Sequence, residues 1–153
     1  MTALFSLLPE AVQTASEGSK DAILDRLAGL FSDVYSLDRE QVLRRITQRE
    51  DLGSTGFGRR FAIPHARLPG LSRPVAAILK LSAPVDFNSA DGMPVDFIFG
   101  LLSPEGAGAT HLHALAAISR IMREERMHEA LLQAPSPEAI YSLLSDVIDR
   151  NAA

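Results

Sequence analysis

The chain has 153 residues, 46% of them hydrophobic and 22% charged, with no cysteine and a net charge of −4. This mixture predicts one globular domain over residues 1–153, and it excludes a disordered tail, a fibre, a disulfide-stapled scaffold and any thiol or thiolate chemistry. The acidic balance argues against general nucleic-acid binding. The charge is uneven, however: seven arginines between Arg44 and Arg73 face only Glu50 and Asp51, giving +5 locally and −9 elsewhere, an island suited to a local anion site.

The opening segment lacks a basic lead-in, and Pro9 and Glu10 interrupt its apolar run, so no signal peptide is read there. The longest stretch free of Asp, Glu, Lys and Arg runs from Gly106 to Ser119 and includes two histidines. That is short of the ~20 apolar residues of a membrane span, and a soluble, cytoplasmic protein with no membrane insertion is expected.

Ser19 to Tyr35 carries Ile23, Leu24, Leu27, Leu30, Phe31 and Val34 at helical spacing, with Ser19 as N-cap. Asp38 to about Gln48 reads as a second helix, Asp38 and Gln41 standing at capping-box spacing. Three glycines in Gly53–Gly58 predict a loop. Phe61 to His65 is expected to be extended, since Pro64 biases Ile63 away from helical angles. Val75–Leu81 and Val95–Leu102 read as buried strands. Thr110 is the candidate N-cap of a helix reaching about Arg123, a shorter helix follows to Gln133, and Ser136-Pro137-Glu138 opens a last one. The alternation predicts an α/β sandwich around one mixed sheet, helices on both faces, with strand order left open.

Without cysteine, chemistry falls to His, Arg, hydroxyls or carboxylates. The segment from Arg49 to His65 joins an arginine at a helix end, a glycine loop with two hydroxyls, and a histidine closing an extended run. Each part suits an anion: glycine backbone N–H groups approach oxygen closely, Ser54 and Thr55 can donate, and the Arg49 fork can hold two phosphate oxygens. Neutral imidazole is a competent nucleophile near neutral pH, so His65 in such a cradle fits a transient phosphohistidine. The loop is neither a Walker A motif nor GxGxxG.

His111 and His113 sit two apart on a helix, ~200° around its axis, and so do not readily share a metal; no metal site is expected. His111 near a helix N-terminus could donate to a phosphoryl group on His65. His113 is expected to be a packing or surface residue, His128 an ordinary surface residue, and Asp86, Asp91 and Asp96 structural groups around turns.

Arg49-Glu50, Gly53-Ser-Thr-Gly56, Ala62-Ile-Pro-His65 and Thr110-His-Leu-His-Ala-Leu115 together resemble the type-2 enzyme IIA domain of the bacterial phosphotransferase system, and more narrowly its nitrogen-regulatory branch. The resemblance implies that His65 accepts a phosphoryl group at its tele nitrogen from an HPr-like (NPr) carrier. It further implies that His111 lies beside it, that Arg49 and the loop Gly53, Ser54, Thr55, Gly56 steady the phosphate, and that no cofactor is needed. Partners would be that carrier and downstream regulated proteins such as kinases or transporters. A sugar-specific IIA of fructose or mannitol type, passing phosphate to a IIB domain, is the alternative; no IIB or IIC segment occurs within these residues, which favours the regulator. Ala66 and Arg59-Arg60-Phe61 depart from the usual pattern, and they bear on partner preference.

Overall fold

Two hydrophobic cores lie on opposite faces of one six-stranded mixed sheet in the computed structural model, which describes residues 4–152. The first three residues, part of the segment read above for a signal peptide, and Ala153 lie outside it. After a 3-10 turn at Pro9–Ala11 come β1 (Val12–Ala15), α1 (Lys20–Tyr35), α2 (Arg39–Asp51), β2 (Gly56–Gly58), β3 (Phe61–Ala62) and β4 (His65–Leu68). They are followed by β5 (Val75–Val85), β6 (Val95–Pro104), α3 (Ala109–Arg123), α4 (Glu125–Gln133) and α5 (Pro137–Ala152). The sheet order is β1-β5-β6-β3-β2, with β4 also pairing to β6. β1 runs parallel to β5, β3 and β4 run parallel to β6, and β5–β6 and β2–β3 are antiparallel.

The alternation of side chains along β5 and β6 explains the two cores. Ala77, Leu79, Ile98 and Leu102 face α1 and α2, whereas Ala76, Ile78, Phe97, Phe99 and Leu101 face the α3–α5 layer. Gly100 lets α1 come close to the sheet: a Cβ there would sit 3.0 Å from Leu27 and Phe31 side-chain carbons. Both strands are longer than the apolar runs suggest, and β1 carries too short and mixed a pattern to be read from sequence.

The caps follow local chemistry. Ser19 Oγ accepts from the Ala22 N–H, Asp38 Oδ1 from Glu40 and Gln41, and Ser136 Oγ from Ala139. The expected cap at Thr110 is corrected: α3 starts at Ala109 behind Gly108, whose φ of 57° ends the preceding turn, and no side chain caps it. The expected loop over Gly53–Gly58 is also corrected, because Gly56–Gly58 pairs as β2 across a two-residue turn at Arg59-Arg60. Here the pairing outweighs glycine's weak strand preference, and Gly56 is required, since a Cβ would meet Ser89 Oγ at 2.2 Å.

Candidate functional site

Pro64 has no N–H to give a ladder, and the chain breaks between β3 and β4 at Ile63-Pro64, restarting at His65. Ala66 and Leu68 belong to the α1/α2 core, so His65 and Arg67 occupy the opposite face of β4, toward α3. The His65 ring folds back on its own segment. Its Nδ1 lies 2.8 Å from the Ile63 carbonyl, which can only accept, so Nδ1 carries the proton and Nε2 the lone pair. Arg49, in the last turn of α2, donates Nε–H to that Nε2 at 3.2 Å and Nη1–H to the Gly53 carbonyl at 2.8 Å.

His111 comes from the first turn of α3 on the other layer. It is 5% exposed, its ring centroid stands 5.6 Å from that of His65, and its Nδ1 lies 2.6 Å from Ser103 Oγ on β6. Burial and the adjacent His65 and Arg67 hold its pKa down to about 4. Burial also lowers the His65 pKa below the usual imidazole value, with the Arg49 charge acting the same way. Both rings are therefore neutral near pH 7. A cavity of about 410 Å³ opens over them, bordered by Arg45, Gln48, Arg49, Leu52, Arg67, Leu112 and Leu115. Four large apolar side chains are well exposed among the described residues, and two of them, Leu52 and Leu112, border this cavity.

Ser54 and Thr55, expected to serve an anion, direct their hydroxyl protons to other groups of the protein here. A hydroxyl has one proton to give. Ser54 Oγ donates to the Phe87 carbonyl, and Thr55 Oγ1 to Glu50. Glu50, to which the sequence assigned no role, is buried beneath the loop: it accepts the Thr55 N–H at 3.1 Å and pairs with Lys20 Nζ at 2.9 Å. Lys20 in turn sits 4.8 Å over the Phe87 ring. The two hydroxyls thus tie the loop to its surroundings, and Arg49 holds the loop's first carbonyl.

His113 is exposed while His111 is buried, so the two point apart; among the described residues no group of three potential ligands stands close enough to hold a metal. His128 is corrected: it is 9% exposed, packs 4.6 Å from the Phe61 ring and donates Nε2–H to the Arg59 carbonyl. Asp86 and Asp91 accept from the N–H groups of Asn88 and Met93, as turn residues do, but Asp96 lies buried within β6, paired with Arg60 and Lys80.

Comparison with known proteins identifies the family and the fold. The family described as "Phosphoenolpyruvate-dependent sugar phosphotransferase system, EIIA 2" matches residues 6–147. A nitrogen regulatory protein of Pseudomonas aeruginosa is 42% identical over 131 residues, 85% of either chain, and one of Bradyrhizobium diazoefficiens is 41% identical over 138 residues, 90% of either chain. The crystal structure of nitrogen regulatory protein IIA-Ntr from Neisseria meningitidis superposes with a TM-score of 0.84 at 33% identity, covering 90% of this chain and 95% of that one. By this match over most of its length and by these identities, the chain belongs to the type-2 enzyme IIA family of the phosphotransferase system, whose members are phosphotransfer components.

Proposed function

We propose that this chain is a nitrogen-type enzyme IIA, a single unit over residues 1–153 that accepts a phosphoryl group on His65 from an HPr-like carrier and regulates other proteins by its phosphorylation state. The observation that carries this reading is the state of His65: its proton is committed to the Ile63 carbonyl, and its Nε2 lone pair meets an arginine beside an open cavity. Phosphorus would bond to Nε2 as the carrier's own N–P bond breaks, in line, with no base required. Arg49 would turn from the lone pair to the phosphoryl oxygens, and His111 would supply a further donor; positioned charge of this kind is the main contribution proteins make to phosphoryl transfer.

The exposed leucines at the cavity rim and the arginines around it suit a carrier that docks through an apolar collar and delivers an anion. The nitrogen-regulatory names of the relatives at 42% and 41% identity favour this branch over the sugar-specific one. No helix among the described residues is long and apolar enough to cross a membrane, which fits a protein that meets its partners in the cytoplasm.

The test is incubation with phosphoenolpyruvate, enzyme I and the organism's HPr-type carriers. Acid-labile, base-stable label is expected on the wild-type chain and none on His65→Ala. Undiminished labelling of a folded His65→Ala chain would remove the assignment.

A further inference from the structure

Ser103 is fully buried near the end of β6, on the face that otherwise carries Phe97, Phe99 and Leu101. Its hydroxyl has one hydrogen-bond partner among the described residues, His111 Nδ1. Two proton arrangements fit a single short contact. If Nδ1 carried the proton, Ser103 Oγ would accept it, and the hydroxyl's own proton would be stranded without an acceptor in a dry interior. If the hydroxyl donates, both atoms of the contact are satisfied.

We propose that Ser103 is a positioning residue: its O–H donates to His111 Nδ1 and fixes the neutral imidazole as the Nε2–H tautomer, so that the nitrogen not committed to the strand is the donor available to a phosphoryl group on His65. The choice of tautomer matters because a neutral ring has only one N–H. Burial, His65 and Arg67 hold this ring neutral far below pH 7, so protonation does not supply a second donor under working conditions. Arg67 lies opposite Ser103 in the β4–β6 register, and its guanidinium reaches toward the Gly108 carbonyl. The same strand pair therefore carries a charge that adds to the effect of burial on the ring and the hydroxyl that orients it. This inference rests on the reading of His65 as the phosphoryl acceptor.

The experiment combines two measurements on the unmodified chain and on Ser103→Ala and Ser103→Thr: long-range 1H–15N NMR of the histidine rings without phosphate, and the initial rate of phosphoryl uptake from the carrier. The wild-type chain is expected to show His111 protonated at Nε2 and bare at Nδ1. Ser103→Ala is expected to populate the Nδ1–H form and to take up phosphate roughly tenfold more slowly, the scale on which losing a group that orients a site histidine is felt. Ser103→Thr, which keeps the hydroxyl, is expected to restore both readouts. A wild-type His111 found as Nδ1–H, or a folded Ser103→Ala chain labelled at the wild-type rate, would overturn the assignment. A wild-type chain that took up no phosphate would overturn the acceptor reading instead, and the tautomer spectra would still decide the role of Ser103.

Discussion

His65 and His111 lie 5.6 Å apart between ring centroids, and both are pushed below the ordinary imidazole pKa, chiefly by burial. The unfolded chain takes up protons near pH 6.5 that the folded chain refuses, so their contribution to stability is complete above that pH and drains away as pH falls toward about 4. The urea midpoint is expected to decline from pH 7 to pH 4.5, and His111→Gln is expected to flatten that decline; a midpoint equally steep in the variant would count against it. Arg49 has two jobs, one N–H on His65 and another on the Gly53 carbonyl. Arg49→Lys keeps the charge and loses the fork, so phosphoryl uptake measured as an initial rate is expected to fall about 100-fold, the scale of losing a preorganised donor.

At the scale of elements, the β2–β3 turn is the least ordinary piece of the fold. Arg59 and Arg60 take φ of 55° and 77°, a two-residue hairpin geometry that normally draws Asn-Gly. A side chain held there costs about 1–2 kcal/mol. Neighbours fasten the turn: Asp91 accepts the Arg59 N–H, Glu125 and the Arg123 carbonyl take its guanidinium, His128 binds its carbonyl, and Asp96 takes Arg60. Arg59→Asn is expected to raise thermal stability by up to about 1 kcal/mol, because relief in the left-handed region exceeds the loss of one exposed ion pair and one exposed hydrogen bond. His128→Ala is expected to lower it by about 1–3 kcal/mol, since the Arg59 carbonyl loses its partner. Thermal melts of both variants check the pair.

This turn also marks where sequence reading stops. The main helices were legible because their apolar spacing and their caps at Ser19, Asp38 and Ser136 are local signals, and β5 and β6 because buried strands concentrate β-branched and aromatic residues. Arg49, His65 and His111 stood out through chain-local cues, a helix end, an Ile-Pro-His step and a helix start. β2 was hidden by its glycines and His128 by its polar neighbours. Ser103 and the Lys20–Glu50 pair carry no pattern at all, since each is defined by a contact with a residue 8 to 30 positions away.

Across the whole molecule, the arginine island of the sequence divides: Arg45, Arg49 and Arg67 border the cavity beside the two rings, while Arg59 and Arg60 are held at the β2–β3 turn. Under the proposed function, a carrier bringing an anion would be steered by these three arginines, so its KM as phosphoryl donor is expected to rise several-fold between low and physiological salt, while the rate at saturation changes little. Leu112→Ala, at an exposed rim position, is expected to raise the same KM without touching the saturated rate. Under the proposed function, phosphorylation would add a charge of about −2 to a neutral ring and offset much of the positive charge that partners meet there. The site also draws on three layers at once: Arg49 comes from the helices on one face, His65 from the sheet, and His111 from the helices on the other. A chain with either helical layer undocked would have nowhere to seat the phosphoryl group. Under the proposed function, charging by a carrier would therefore double as an inspection of workmanship, passing only molecules whose assembly is finished.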